Sequence, residues 1–407
     1  MRITDFLRRL CIAALLAGLA ACAWRAPGTG EDPAHEFSAA GDRAYEVSVA
    51  WIGGRPALAW HGGRLEHDAL FIRYADQDGR PDGPQQQLTD ATRHAFEPSL
   101  QEMDGEALVA WYEQDAARHQ VALLARFDAQ GRQRWRRELS AVAVNGRNPV
   151  VRVAGGVAHV AWIEQRGGTA TLRWAEVDAA GQWRSAPQDL APASPQTWNL
   201  NAAVGADGSF HVVYDAGVDS RAKELHWLRI RGGHVEERRL GADDGHDSVY
   251  PDLALDGGRA ALTWFDYRDG NAEVYLRCAR LGVAGSLPGN LADEAAARRI
   301  THSPGESIGA YLAWRAAHIE LAWTDAGAQG TALWWQHFDR DCRPLDAAHS
   351  LSSPRGLAGI PSLAVSPRGL ALAWSERRGT PEELARPGHD RRTSSVALLR
   401  VWRGYTH

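Results

Sequence analysis

The chain of 407 residues is short of lysine, methionine and cysteine, and positive charge does not predominate in it. Lys223 is the only lysine, so arginine supplies almost all of the basic side chains, and the formal net charge is −5. A protein that binds nucleic acid through its phosphates needs a basic surface, which this composition does not provide. We therefore expect no nucleic-acid partner.

Long apolar runs are also lacking. The longest lies at the N-terminus, Leu10–Ala20, behind three arginines, and it is too short for a comfortable membrane span. This order of charge and apolar residues is typical of a secretion signal. The residues that close it, Leu19-Ala20-Ala21-Cys22, resemble the lipobox of bacterial lipoproteins, which implies a lipidated Cys22. The alternative is an ordinary signal peptide with an unrelated cysteine.

This interpretation divides the chain into a signal peptide (1–21), a lipidated cysteine with a tether (22–44) and one domain (45–407). Acyl chains on Cys22 would hold the protein at a membrane surface without a transmembrane helix. By analogy with lipoprotein sorting, Ala23 favours the outer membrane, because inner-membrane retention typically shows Asp at that place. We expect a lipid-anchored monomer of the bacterial cell envelope.

The chain has only four cysteines, which limits the disulfides and metal sites that it can form. With Cys11 in the signal and Cys22 lipidated, Cys278 and Cys342 remain. An oxidising compartment permits a disulfide, but the two occupy different positions of a sequence repeat, which argues against pairing. Two isolated cysteines without a histidine cluster do not make a zinc site, so we predict neither metal nor cofactor.

What the chain has in abundance is a repeat of about 50 residues. An aromatic residue that follows small and apolar residues returns seven times, at intervals of 51, 51, 52, 50, 59 and 51 residues. These anchors are Trp60, Trp111, Trp162, Tyr214, Trp264, Trp323 and Trp374. Each lies between two further short apolar segments, with turn residues such as Gly257-Gly258 between them.

Short strands separated by turns, with no helical period between them, predict an all-β antiparallel chain. Four strands per repeat are the signature of a β-propeller. We therefore expect seven four-stranded blades. The seventh repeat ends on its third strand, Val396–Trp402, so the segment around His35–Tyr45 is expected to supply the missing strand and close the ring.

The loop after the anchor carries an acid two residues beyond the aromatic in five repeats, as in Glu113, Glu164 and Asp266, and an arginine follows, as in Arg268. One interpretation is a ring of charges that grips a ligand. The other is that each acid stabilises its own turn and pairs with the local arginine. Recurrence favours the second, because a turn residue is needed in every blade whereas a catalytic residue is needed once.

The connections into the innermost strands differ between repeats, as a specific site requires. We take them, together with Asp266 and Arg268, as ligand-binding candidates. They are Arg93, His94, Glu97, Arg147, Asn148, Trp198, Asn199, His246, Asp247, Tyr250 and Glu306. Trp198 offers a stacking face to a sugar or another flat ligand, although such a residue also serves for packing. The sequence shows no motif that assigns a catalytic residue.

The clearest copy of the repeat, Trp-Phe-Asp-Tyr-Arg-Asp-Gly-Asn-Ala-Glu-Val-Tyr at 264–275, resembles loosely sialidase-like propellers of secreted bacterial proteins, and the resemblance covers about Tyr45–Trp402. The Ser-x-Asp-x-Gly-x-x-Trp boxes of true sialidases are absent from the sequence, so no catalytic residue carries over. We expect a binding or scaffolding module for a protein partner or an envelope glycan. The alternative is a sialidase-like glycoside hydrolase with its site at the mouth of the central channel.

Overall fold

The computed structural model describes residues 33–63, 67–90, 92–193, 197, 199–217, 222–240, 244–282, 285–288, 296–327, 330–352, 356–379, 384 and 394–403. Ala34–His407 forms one compact unit, separate from Met1–Pro33. Cys22 and Trp198 lie outside the described residues. Within the described part, no helix has the length and apolar character needed to cross a membrane.

The unit is an all-β propeller. Twenty of its strands form five four-stranded antiparallel blades, each built in chain order from its innermost to its outermost strand. The first two blades are β2 (Arg43–Ile52), β3 (Arg55–Gly63), β4 (Ala69–Ala75), β5 (Pro81–Gln87) and β6 (His94–Met103), β7 (Glu106–Gln114), β8 (Gln120–Phe127), β9 (Gln133–Glu138). The next two are β10 (Gly146–Ala154), β11 (Val157–Arg166), β12 (Thr169–Asp178), β13 (Trp183–Ala193) and β14 (Leu200–Val204), β15 (Phe210–Ala216), β16 (Glu224–Arg231), β17 (His234–Leu240). The fifth is β18 (Ser248–Asp256), β19 (Arg259–Asp266), β20 (Glu273–Arg280), β21 (Arg298–Arg299), and a 3-10 turn, Val142–Val144, precedes β10.

The remaining strands form one nine-stranded sheet rather than two further blades. They are β1 (His35–Glu36), β22 (Ser307–Arg315), β23 (His318–Gly327), β24 (Gly330–Phe338), β25 (His349–Ser350), β26 (Leu357–Ala358), β27 (Ser362–Ser366), β28 (Gly369–Arg378) and β29 (Ser394–Arg403). The prediction of seven four-stranded blades is therefore wrong, because the structure has five. The cause is β26, which pairs with β24 through Thr331 and with β28 through Arg377, and so joins the strands of the last two sequence repeats.

The N-terminal strand does pair with the last strand. His35 lies opposite Leu399 in an antiparallel register, and the Phe37 amide donates to the Ala397 carbonyl over 2.8 Å. The two ends of the unit are thus joined within one sheet. This pairing covers an edge that would otherwise present free backbone groups.

The core lies between neighbouring sheets. All seven predicted anchors are buried, with exposed fractions between 0% for Trp60 and 6% for Trp264. Because side chains alternate along a strand, each blade packs against both neighbours. On β7, for example, Trp111 packs with Ile72 of the first blade, whereas the adjacent Ala110 packs with Val160 of the third.

Short polar side chains on the innermost strands connect one sheet to the next. Each accepts a hydrogen bond from a backbone amide of the following sheet. The four bonds run from Leu100 to Ser48 (3.0 Å), from Val151 to Ser99 (3.2 Å), from Leu312 to Asp252 (2.8 Å) and from Val49 to Ser362 (3.1 Å). The last of these joins β27 to β2 and so completes the ring around the central channel.

Cys278 and Cys342 form a disulfide, with their Cα atoms 5.6 Å apart. The expectation that they stay unpaired is wrong. Cys278 lies on β20 of the fifth blade, whereas Cys342 lies in the turn after β24, in a left-handed backbone conformation with φ of 60°. Their different repeat positions are what lets them meet, because the turn of one sheet reaches the third strand of its neighbour.

Candidate functional site

The innermost strands share a β-bulge at one end of the channel. The pairing with the second strand shifts by one residue in five of these strands, between Tyr45 and Ser48, for example, and between Phe96 and Ser99. Within each shift one residue has a left-handed backbone: Glu46 (φ 39°), Glu97 (φ 50°), Asn148 (φ 50°), Tyr250 (φ 55°) and Gly309 (φ 61°). A bulge re-aims the side chain it carries.

We call Glu46, Glu97, Asn148, Asn199 and Tyr250 the mouth ring. Asn199 precedes β14 and lies 51 residues after Asn148, the spacing that also separates Glu46, Glu97 and Asn148. All five line the central channel, a cavity of about 870 Å³. Left-handed backbone at a residue other than glycine costs about 1–2 kcal/mol. The left-handed backbone recurs with the bulge in five sheets and so belongs to the fold, whereas the side chain that it presents to the channel differs from one sheet to the next.

Two glutamates from adjacent blades contact each other in the mouth ring. Oε2 of Glu46 accepts a hydrogen bond from the backbone amide of Glu97 over 3.2 Å and lies 2.9 Å from Nε2 of His61. Burial, with a further contribution from the charge of Glu46, raises the pKa of Glu97 well above its usual value, and Arg147 opposes the shift. The raised pKa favours the protonated form of Glu97 more than that of a free glutamic acid at the same pH.

Arg147 is a predicted candidate that lies behind the mouth ring. Only 2% of it is exposed. Its guanidinium donates to Oε1 of Gln165 over 2.7 Å and to the carbonyl of Thr197 over 2.9 Å. It therefore acts on the mouth ring through its charge.

A second cavity of about 570 Å³ opens beside Tyr250. We call it the mouth cleft; Lys223, His246, Asp247, Phe265 and Tyr267 are among the residues that line it. Phe265 stacks on Tyr250 with ring centres 4.8 Å apart, and burial raises the pKa of Tyr250. Two predicted candidates, His246 and Asp247, thus belong to this cleft.

Asp266 and Arg268 build a turn rather than a ligand site. Asp266 is fully buried and accepts hydrogen bonds from Trp264 Nε1 (3.1 Å), Ser248 Oγ (2.7 Å) and Arg268 Nη2 (2.7 Å). Burial acts to raise the pKa of Asp266, but these donors outweigh it and the pKa is lowered. Neither residue lines the channel cavity or the mouth cleft.

The same arrangement recurs in other sheets, which explains the acid that follows the anchors. The anchor indole donates to the acid two residues on, from Trp111 to Glu113 (3.1 Å), from Trp162 to Glu164 (3.0 Å) and from Trp374 to Glu376 (3.4 Å). An arginine pairs with each acid: Arg136, Arg173 and Arg378 in turn. The structural interpretation of this pattern is confirmed in part: Asp266 and Glu376 pair with the arginine that follows them in the loop, whereas Glu113 and Glu164 pair with arginines of other strands. The indole as donor could not be predicted from the sequence.

The other candidates lie apart from both cavities. His94 accepts a hydrogen bond from the Asp68 amide over 3.3 Å and packs on the ring of His67, and burial lowers its pKa. Glu306 is exposed and accepts a hydrogen bond from the Ala272 amide over 3.0 Å. Arg93 is half-buried just before β6. None of the three lines the channel cavity or the mouth cleft.

The structure therefore brings together Glu97, Asn148, Asn199 and Tyr250 and adds Glu46, which sequence reasoning missed. A signal for Glu46 exists, because it lies 51 residues before Glu97, one repeat length away. The mouth cleft adds Lys223, Phe265 and Tyr267. In these two cavities the structure places acceptors, donors and aromatic rings side by side.

Comparison with known proteins identifies the fold. No family model and no curated protein matches the chain. Among solved structures it is similar to the phage phi92 endosialidase, with a TM-score of 0.52 and 10% identity over 91% of this chain and 69% of that one. It is also similar to the polysaccharide lyase Uly1, with a TM-score of 0.54 and 8% identity over 88% of this chain and 90% of that one. The chain thus has a sialidase-like β-propeller fold.

Proposed function

We propose that the protein is a glycan-binding propeller that takes its ligand at the mouth ring. The observation that carries this proposal is the set of five adjacent side chains, four of them on left-handed backbone, that line one cavity. They supply carboxyl, amide and phenol groups, which hydrogen-bond to sugar hydroxyls. The cavity volume falls in the range of about 300–1,000 Å³ typical of ligand sites.

The comparisons support a glycan over a protein ligand. The two similar structures are named as an endosialidase and a polysaccharide lyase, both of which act on glycans. At 8–10% identity they share the fold with this chain and no residue roles. The chemistry of the mouth ring, rather than the likeness, therefore has to carry the assignment of the ligand.

A bacterial envelope location completes the proposal. Lipidation of Cys22 would place the propeller at a membrane surface, with the outer membrane favoured. The disulfide between Cys278 and Cys342 supports an oxidising compartment such as the periplasm. A glycan of the envelope is a ligand that a protein anchored there would meet.

Glycoside hydrolysis is a second candidate, and one observation favours it. Asp247, Asp266 and Glu306 accept hydrogen bonds from backbone or indole N–H groups of the fold, but Glu46 and Glu97 lie close together on adjacent blades. Glycosidases use two carboxyl groups, one protonated and one ionised. In such a reaction Glu97 would give its proton to the glycosidic oxygen as the bond to the anomeric carbon breaks, while Glu46 would take a proton from the water that forms the new bond to that carbon.

Two variants of one residue separate these functions. Glu97→Ala removes the hydrogen-bonding group, so binding to an array of envelope glycans should weaken about tenfold. Glu97→Gln keeps the shape and hydrogen-bonding ability of a protonated carboxyl group but has no acidic proton. A binding module should therefore retain its affinity in Glu97→Gln, whereas a hydrolase should retain affinity and lose turnover.

The matched control is Glu138→Gln, on the exposed outermost strand β9, which should change neither property. Reducing-end release from the bound glycan measures hydrolysis. Unchanged glycan binding in Glu97→Ala would refute the mouth ring as the site. If the wild-type chain hydrolyses the glycan and Glu97→Gln abolishes this turnover, the protein is a hydrolase rather than a binding module.

A further inference from the structure

The mouth cleft contains an aromatic platform. Phe265 is 5% exposed and stacks on Tyr250 with an interplanar angle of 24°. Tyr267 packs against Phe265 edge-on, with ring centres 6.2 Å apart and an angle of 69°, and is 37% exposed. Tyr267 therefore packs against one ring of the stacked pair and is itself partly exposed to solvent.

The fold does not require this ring. Tyr267 lies three residues after the anchor Trp264. The residues at the same offset in the other repeats are Gly63, Gln114, Gln165, Gly217, Ala326 and Arg377. An exposed aromatic side chain appears there once, in the blade that also contributes Tyr250 to the mouth ring. Such singular positions are where a ligand contact is expected rather than blade structure.

Two polar side chains of opposite charge lie at the same cleft. The Lys223 amide donates to Oδ1 of Asp247 over 2.8 Å, so the two residues are adjacent. Within the part of the chain that the structure describes, the Lys223 side chain makes no ion pair. The cleft thus offers an ammonium donor and a carboxylate acceptor whose charges balance, a combination suited to uncharged hydroxyl groups.

The cleft adjoins the channel. Tyr250 and Ile360 line both the 870 Å³ channel cavity and the 570 Å³ cleft. A ligand longer than one sugar unit that enters the mouth ring has the cleft and Tyr267 on the other side of Tyr250. A single sugar unit in the mouth ring would not need the cleft.

We infer that the mouth cleft is a second saccharide subsite, which stacks one uncharged pyranose ring on Tyr267 while the next sugar of the same chain occupies the mouth ring. The inference rests on the proposed glycan-binding function and makes it more specific, because it requires a chain of two or more sugars. Lys223 and Asp247 hydrogen-bond to the hydroxyl groups of the stacked ring. The apolar face of that ring covers the exposed part of Tyr267.

The test compares chitotetraose and maltotetraose with their monosaccharides, N-acetylglucosamine and glucose, in saturation-transfer NMR titrations of the full chain. We expect Tyr267→Ala to lower the affinity for the tetrasaccharide about three- to tenfold and to leave the affinity for the monosaccharide unchanged. Tyr267→Phe keeps the ring and should bind as the wild type does. Leu345→Ala, at another exposed apolar residue, is the control.

The outcomes separate this inference from the proposed function. Equal affinity of wild type and Tyr267→Ala for the tetrasaccharide, with Glu97→Ala still weaker, would overturn the subsite alone. If Tyr267→Ala lowered the affinity for the tetrasaccharide and for the monosaccharide equally, the second subsite would also be overturned, because Tyr267 would then act on the mouth ring. Binding of neither tetrasaccharide would overturn the uncharged-chain assignment, and Glu97→Ala on the glycan array would then decide the proposed function separately.

Discussion

Asp252 provides a quantitative test of the electrostatics below the mouth ring. It lies two residues after Tyr250 on β18, lines the channel and is 4% exposed. Its Oδ2 accepts the Leu312 amide over 2.8 Å. Burial raises the pKa of Asp252 from 3.8 to about 6, although the Leu312 hydrogen bond and the charge of Arg152 oppose the shift.

Because the pKa of Asp252 is raised in the native state, the stability of the fold depends on pH. The native state holds the Asp252 proton more tightly than the unfolded chain, so the contribution of Asp252 to stability is full below about pH 3.8. It is lost as the pH rises through about 6. A difference of roughly two pKa units corresponds to about 3 kcal/mol between the two ends of this range.

Asp252→Asn keeps an oxygen acceptor for the Leu312 amide and has no charge to bury. We expect the variant to be more stable than wild type by up to about 3 kcal/mol at pH 7.5, and equal to it at pH 3.5. Urea unfolding at both pH values, followed by tryptophan fluorescence, measures this difference. Asp256→Asn on the same strand, whose side chain is 40% exposed, is the control and should show no comparable gain.

The refuting result is a variant that is less stable than wild type at pH 7.5. It would show that the attraction between Asp252 and Arg152 outweighs the burial of the carboxylate. An equal gain in stability of Asp252→Asn at both pH values would also contradict the reasoning. At pH 3.5 neither side chain is expected to carry a charge, so such a gain would have a cause other than the burial of the carboxylate.

Three further changes test the disulfide, the recurring turn and the proposed lipid attachment at Cys22. Replacing both Cys278 and Cys342 by serine should lower the free energy of unfolding by about 4 kcal/mol, since the bridge closes a 64-residue separation; an unchanged urea midpoint would contradict this. Asp266→Asn should cost about 1–3 kcal/mol, because an amide cannot accept all of the hydrogen bonds that the buried carboxylate accepts from Ser248, Trp264 and Arg268, whereas Glu306→Gln on the surface should stay within about 0.5 kcal/mol; equal losses would contradict the turn assignment. Cys22→Ser should move the protein from the membrane fraction to the soluble fraction, and unchanged fractionation would rule out the lipid anchor.

The parts of the fold that repeat could be predicted from the sequence. Each anchor is a large aromatic residue that ends a run of small and apolar residues, and the structure buries all of them on second strands. The blade count could not be predicted in the same way. It depends on Leu357–Ala358, a two-residue strand that pairs on both sides and carries no pattern of its own.

The candidate site could be predicted in part, for a related reason. Glu97, Asn148, Asn199 and Tyr250 stood out because the repeats differ there. Glu46 escaped notice because it belongs to the first repeat, whose loop lacks the acid that marks the others. The disulfide depends on how the turn of one sheet meets the third strand of the next, which is a property of the assembled ring.

Asp266 and Glu97 show why a recurring acid and a singular acid have different meanings in a repeat protein. Asp266 is fully buried, but an indole, a hydroxyl and a guanidinium surround its carboxylate and lower its pKa. Among the described residues no such set of donors surrounds the Glu97 carboxyl group, and a neighbouring carboxylate contributes to raising its pKa. The indole donor recurs with the acid in four repeats, whereas the contact between Glu46 and Glu97 is not part of that recurring pattern. Together with the channel that both glutamates line, this contact argues for ligand binding at the mouth ring.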